Sequence, residues 1–340
     1  MIPVIFGLSG PHLTADERAF FQEADPAGYI LFGRNCVSRD QLRSLTDDLR
    51  AIHGRERLLV SIDQEGGRVA RLRPPHWSPY PAGQAFDALY QIAPASAIEA
   101  ARANATAMAL ELAAMGITVD YHPPLDLRVP GAHDVIGDRA LGSDPMQVAA
   151  LGRAILEGLA AGGVTGCIKH MPGHGRTEVD THKSMPTVTA SAEDLEDDLA
   201  PFRTLNHALI GMTGHLLFTA WDAVNPATLS PTIIADVIRG QIGFDGLLLT
   251  DDIDMEALGG TIPERAARAH QAGCDIILNC WAKMPDMEGI CTVLPAMSGA
   301  TAARLDRALA GTRIAPAMAP EHGELLAKRD ALLALTGSPA

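Results

Sequence analysis

Residues 246–255 read GLLLTDDIDM, an apolar run of three leucines that ends in a threonine and two adjacent carboxylates. A strand with one face in water alternates apolar and polar residues. A run that is apolar throughout belongs to a parallel strand buried on both faces. Seven further runs have this form: PVIFGLS from Pro3, GYILF from Gly28, LLVSIDQ from Leu58, ITVDYHPPLDL from Ile117, VTGCIKH from Val164, LIGMTGH from Leu209 and CDIILNC from Cys274. A polar turn and a helical pattern follow each of them. Thr14 with Glu17 and Ser38 with Gln41 read as capping boxes, and Ser230 before Pro231 as an N-cap with proline at the first helical position. Leu42, Leu45, Leu49 and Ile52 recur at helical spacing and give one face for packing on a sheet. Eight such alternations with no linker between them predict α/β architecture, a single-domain (β/α)8 TIM barrel. The expected domain is 1–340, with the barrel over about 3–280 and a closing helical segment over about 281–335. A doubly wound open sheet is the structural alternative.

Composition narrows the function classes. The formal net charge is -14, and no basic block occurs in the chain. Phosphate backbones are contacted by clustered Lys and Arg, so nucleic acid is not an expected partner, nor is an acidic membrane surface. The first ten residues, MIPVIFGLSG, carry no positive leader, and nowhere do 18 apolar residues run uninterrupted. The expectation is a cytoplasmic, monomeric protein. Five cysteines at irregular spacing, several inside apolar runs, read as buried free thiols.

The polar residues carry the functional signal, because each run ends in a reactive group: Asp63, His122 with Asp126, Lys169 with His170, His215, Asp251 with Asp252, and Asn279. Barrel strands deliver their C-terminal residues to one rim, where the active site is built. Asp251, directly at the end of a buried run, is the candidate for chemistry. Asp252 is read as bracing the turn, and Asp254 as a cap on a helix beginning near Met255 and Leu258. In SIDQEGGRVARL, Asp63 ends the third run, and Gly66-Gly67 allows a sharp turn beneath Arg68 and Arg71. A carboxylate with guanidinium groups suits a sugar, whose hydroxyls both donate and accept. The plainer reading pairs Asp63 with Arg68. Arg139, between two glycines of VIGDRALGSDP, is either a surface arginine or part of the same set.

The stretch KHMPGHGRTEVDTHKSMP (169–186) admits three readings: a metal site from His170, His174, His182 and Asp180, a phosphate turn at Gly173–Gly175, or a catalytic loop. There is no H-E-x-x-H helix and no paired-cysteine motif to support the metal. Asp180-Thr181-His182 supports the loop. An aspartate two residues from a histidine accepts from one ring nitrogen and leaves the other to shuttle a proton around neutrality.

These segments, in this order, resemble the glycoside hydrolase family 3 β-N-acetylhexosaminidases of bacterial peptidoglycan recycling (NagZ type), from about Phe6 to Asn279. Several family members carry Phe where Met171 stands here. The resemblance implies a hydrolase with Asp251 as nucleophile, His182 as general acid/base and Asp180 as its orienter. It also implies that Asp63, Arg71, Arg139, Lys169 and His170 hold the sugar. The implied reaction is a double displacement on β-linked N-acetylglucosamine in muropeptide fragments, with no metal and no cofactor. Other members take a carboxylic acid/base from a second α/β domain, for which the D-T-H loop is expected to stand in. A β-glycoside phosphorylase or broader β-glycosidase on the same scaffold, and a metal-dependent barrel hydrolase, are the alternatives.

Overall fold

A computed structural model describes residues 1–129, 131, 134–177 and 185–337. In chain order its strands are β1 (Ile2–Gly7), β2 (Pro26–Leu31), β3 (Leu59–Ile62), β4 (Val119–Asp120), β5 (Thr165–Met171), β6 (Thr187–Val188), β7 (Ile210–Thr213), β8 (Leu217–Phe218), β9 (Leu247–Asp252) and β10 (Ile276–Asn279). All eight apolar runs became barrel strands. They close in the order β1-β10-β9-β7-β5-β4-β3-β2 with parallel pairing, whereas β6 and β8 form a separate two-stranded sheet outside the barrel. The open doubly wound sheet is thereby set aside.

Alternation along each strand sorts side chains between two cores. Ile5, Ile30, Leu59, Val119, Cys167, Ile210, Leu247, Leu249 and Ile276 fill the lumen. Their neighbours Val60, Ile168, Leu248 and Ile277 pack outward under the helices. Burying each such aliphatic side chain contributes about 1.5–3 kcal/mol, so the register is strongly specified. The period of two then carries Leu59 and Ser61 on to Asp63, Cys167 to Lys169, and Leu247 and Leu249 to Asp251. The alternation that fills the barrel thus also aims those three side chains at its mouth.

The helix starts follow the local chemistry. Thr14 and Glu17 form a reciprocal capping box. Ser38 accepts from the Gln41 N–H, but the Gln41 side chain reaches the Val37 N–H instead of closing the box. Ser230 Oγ accepts from the Ile233 N–H at 3.1 Å. The helices Pro94–Ala114 and Pro145–Ala161 cross closely at Gly158, where a Cβ would stand 2.6 Å from the Arg102 carbonyl oxygen. One expectation fails: Ile253–Leu258 is a series of turns, and the next helix begins only at Ile262. Asp254 therefore caps nothing.

Past β10 lie the helices Met284–Val293, Gly299–Leu309 and His322–Leu333. Leu305, Ala308 and Leu309 join the lumen core at the N-terminal end of the barrel, and the Ala308 carbonyl accepts from Thr165 Oγ1 at 2.6 Å. The last helix lies on Pro94–Ala114, with Arg329 donating to Asn104 Oδ1 at 3.1 Å. Among the described residues, no helix is long and apolar enough to cross a membrane. Cys167, Cys274 and Cys280 are buried, Cys36 and Cys291 are half-buried, and all five are free thiols.

Candidate active site

At the C-terminal mouth of the barrel a cavity of about 260 Å³ is lined by Asp63, Arg71, Arg139, Lys169, His170 and Asp251, among others. These are all the expected site residues that fall within the described chain. Asp180 and His182 lie outside the described residues.

One flank, from β3 to β5, is a closed network of charge. Lys169 Nζ lies 3.0 Å from Asp63 Oδ1 and 2.7 Å from Glu65 Oε1. Arg71 Nη2 reaches the other oxygen of Asp63 at 3.1 Å. Arg139 grips Glu65 with both branches, Nε to Oε2 at 2.8 Å and Nη2 to Oε1 at 2.7 Å. Burial alone would drive the Asp63 carboxyl upward, but Lys169 and Arg71 outweigh it and hold Asp63 below the usual range. Glu65 is held well below it in the same way by Arg139 and Lys169. Burial would push the Lys169 ammonium down, yet Glu65 and Asp63 leave it raised. All of these groups stay ionised at neutral pH.

Two alternatives are decided by the geometry. The arginine that pairs with Asp63 is Arg71, not Arg68; ahead of both, Gly66 (φ +100°) turns the backbone so tightly that a Cβ would stand 2.2 Å from the Pro81 oxygen. Arg68 goes instead to Asp138, at 2.6 Å. Arg139 is not a surface arginine, for its side chain keeps only 12% of its exposure. Glu65, the hub of the network, is not among the residues that the sequence pattern picks out. Its signal is the D-x-E spacing, which carries the lumen-facing alternation one step past Asp63.

His170 is set by a residue outside the expected site. Asp126 accepts from the His170 ring Nδ1 at 2.7 Å, and its other oxygen accepts the backbone N–H groups of His170 at 3.1 Å and His174 at 2.7 Å. With Nδ1 engaged, Nε2 is the ring nitrogen left for a ligand. His174 and His122 are buried, which pushes both down to about 4, so they are neutral at pH 7. Among the described residues, no three His, Cys, Asp or Glu side chains come together as metal ligands.

The other flank carries Asp251 at the end of β9. Its Oδ1 accepts the Asp252 N–H at 2.8 Å. Among the described residues no hydrogen-bond donor holds Oδ2. Burial works to raise this carboxyl, but His170, the Asp252 N–H and Lys169 prevail and lower it. The Asp251 carboxylate is thus ionised and has one oxygen available. His215 braces it from behind: its Nε2 donates to the Asp252 carbonyl oxygen at 2.8 Å, while Nδ1 accepts from Thr228 Oγ1 at 2.7 Å. Burial lowers His215 and favours this neutral tautomer.

A barrel whose mouth presents a lumen-facing carboxylate opposite a set of fixed hydrogen-bonding charges has the form of a glycosidase site. The chain belongs to glycoside hydrolase family 3, since the description Glycosyl hydrolase family 3 N terminal domain matches residues 6–314. It is 38% identical to a β-hexosaminidase of Bordetella avium over 84% of this chain and 81% of that one. It is 40% identical to a β-hexosaminidase of Alkalilimnicola ehrlichii over 82% and 80%. The structure of NagZ from Neisseria gonorrhoeae in complex with N-trifluoroacetyl-D-glucosamine superposes with a TM-score of 0.87, at 30% identity and 98% coverage of both chains. The protein is a glycoside hydrolase of the β-N-acetylhexosaminidase type.

Proposed function

We propose that this enzyme removes terminal β-linked N-acetylglucosamine from muropeptide fragments by double displacement, with the 1–340 chain acting in the cytoplasm as a single monomeric catalytic unit. The observation that carries the reading is Asp251: an ionised carboxylate, facing the lumen, with Oδ2 open to the cavity that Asp63, Lys169, His170 and Arg139 also line. In the first step Asp251 Oδ2 bonds to the anomeric carbon as the glycosidic bond breaks. His182, oriented by Asp180, gives its proton to the departing oxygen. In the second step His182 takes a proton from water, the water oxygen bonds to the anomeric carbon, and the ester to Asp251 breaks with retained configuration. Asp63, Arg71, Lys169 and His170 hold the ring hydroxyls through valences not used among themselves. Arg139 acts on the sugar and, through Glu65, keeps Lys169 in place. The acetamido preference rests on the likeness to the β-hexosaminidases and to the glucosamine-bound Neisseria structure.

The test is turnover of a chromogenic N-acetyl-β-glucosaminide beside the matching glucoside, with Asp251→Ala and His182→Ala and with phosphate present or absent. The expected result is preference for the acetamido sugar and release of free sugar in either buffer. A sugar 1-phosphate product would assign the chain to the phosphorylases instead. His182→Ala should still be glycosylated by an activated aryl substrate and then stall as the covalent intermediate. An equal loss on activated and unactivated substrates would remove its acid/base role.

A further inference from the structure

Asp252 follows the nucleophile, and its surroundings are unlike those of every other carboxylate at the mouth. Its Oδ1 accepts the Asp254 N–H at 3.0 Å, and its carboxyl lies within hydrogen-bonding reach of the Asp254 carboxyl. Asp254 Oδ2 already accepts three N–H groups from the end of β10: Asn279 Nδ2 at 2.9 Å, the Cys280 N–H at 2.9 Å and the Trp281 N–H at 3.1 Å. Three donors on one oxygen commit that oxygen of Asp254 to accepting from the end of β10. Two carboxyls in contact keep one proton between them, and with Asp254 committed that proton resides on Asp252. The backbone of Asp252 meanwhile serves the site, since its N–H holds Asp251 Oδ1 and its carbonyl holds the His215 ring.

We propose that Asp252 and Asp254 form a proton-sharing clamp that ties the nucleophile's strand end to β10 and positions Asp251, and that enzyme turnover fails when the shared proton is lost. Asp252 is a positioning residue here, acting through Asp251, and the proposal rests on Asp251 being the nucleophile. Loss of the proton sets two carboxylates against each other and adds a negative charge beside Asp251. The repulsion pulls on the same peptide that holds Asp251 Oδ1.

The charged and titratable groups around the pair leave this assignment in place. Arg34, from the turn after β2, lies near both acids but is engaged with the Leu8 and Cys280 carbonyls. Arg265, on the helix Ile262–Ala272, gives its Nη1 to the Ile253 and Met255 carbonyls. His215 after β7 is neutral, and the buried Cys280 thiol is pushed well up by burial and so uncharged. Asp251 adds negative charge. Burial, followed by the Asp254 charge, pushes Asp252 up to about 8, so the clamp is closed at neutral pH and opens above it.

The experiment is the pH profile of kcat/KM for the full chain on an aryl N-acetyl-β-glucosaminide with a good leaving group. Such a substrate needs no proton from His182 for the first step, so the His182 titration drops out of the profile. The wild type should then lose activity with a midpoint near pH 8, and His182→Ala should show the same alkaline limb. Asp252→Asn offers a neutral amide to Asp254: it should lower kcat by about threefold at pH 6, leave KM in place and abolish the limb. Asp254→Asn removes the partner charge, leaves burial acting on Asp252 and lowers the pH at which Asp252 ionises, so it too should remove the limb near pH 8. It serves as the test if Asp252→Asn does not fold. Persistence of the limb near pH 8 in either variant overturns the proposal. Near-normal turnover by Asp251→Ala overturns the nucleophile reading instead, so the two failures are distinct.

Discussion

The two flanks of the cavity solve opposite electrostatic problems. On the β3–β5 flank Asp63 and Glu65 are matched by Lys169, Arg71 and Arg139, so each charge has a fixed partner and each carboxyl is driven down. On the β9 flank Asp251, Asp252 and Asp254 crowd together with no direct ion pair among the described residues, and one of the three is driven up. A set of mutually neutralised charges makes a rigid frame for polar hydroxyls and has no unpaired group to attack anything. Asp251 is lowered by His170, the Asp252 N–H and Lys169 without a fixed ion-pair partner, so one oxygen stays open for the proposed role of nucleophile, and the neutral His215 supports the backbone behind it. Under the proposed mechanism, binding and bond-making are divided between strands of one barrel.

The largest effect expected on this division is at Asp251. Asp251→Ala removes the oxygen proposed to form the bond and should lower kcat by roughly 10³-fold or more, with KM for the sugar little changed because the opposite flank is intact. In the wild type, rapid quenching during turnover should show one sugar mass on the peptide containing Asp251. A label on another carboxylate would reverse the assignment of the flanks.

Glu65 comes next. Glu65→Gln leaves Lys169 and Arg139 buried with one carboxylate fewer, and breaking a buried pair costs about 3–5 kcal/mol. Chemical denaturation should show that loss, together with a raised KM. The pH dependence follows from the same pairing. Because Asp63 and Glu65 are lowered in the folded state, their contribution is fully present above the unfolded carboxylate values near ~4 and is lost as pH falls through the lower folded values. Wild-type stability should therefore drop steeply only below about pH 4, and Glu65→Gln should show a shallower acid dependence. An unchanged acid profile would mean that Glu65 is not the hub.

Arg71 should give a smaller effect, confined to binding. Its guanidinium joins Asp63 and stacks over the Phe32 ring at 5.0 Å, a planar arrangement that an ammonium cannot reproduce. Arg71→Lys should raise KM by about 10-fold, near the lower end of what a charge-assisted hydrogen bond contributes, and change kcat little. A fall in kcat alone would place Arg71 with the chemistry and not with the frame.

How much of this was legible depends on the range of the interaction. The barrel was, because continuous apolar runs and their polar ends are local patterns, and alternation carries Asp63, Lys169 and Asp251 from the strands into the mouth. Glu65 and Asp126 were not given roles, because what makes them important lies far along the chain: Lys169 and Arg139 for one, the turn of His170 and His174 for the other. Asp254 resembles a helix cap in sequence for the same reason. An aspartate in a turn has the same local sequence whether it accepts from the next helix or from the end of β10, and only closure of the barrel brings Asn279, Cys280 and Trp281 to it. Asp180 and His182 are legible through local spacing and the family resemblance, and their roles belong to the proposed mechanism.

The smallest effect expected tests whether the frame ends at the cavity. Behind the barrel the Glu111 carboxylate gathers Arg39, the Ser78 N–H and Tyr80 Oη, and Tyr80 also meets His322 Nε2 at 3.3 Å on the last helix. This network resembles the β3–β5 flank in its chemistry but faces away from the lumen. Tyr80→Phe removes one hydrogen bond to Glu111 and should cost about 1 kcal/mol in denaturation. The kcat and KM on the N-acetyl-glucosaminide should not change, because no residue of this network lines the cavity. A change in KM would mean that the clasp of the last helix is coupled to the sugar frame, and the division would then run through the whole helical layer instead of across the mouth alone.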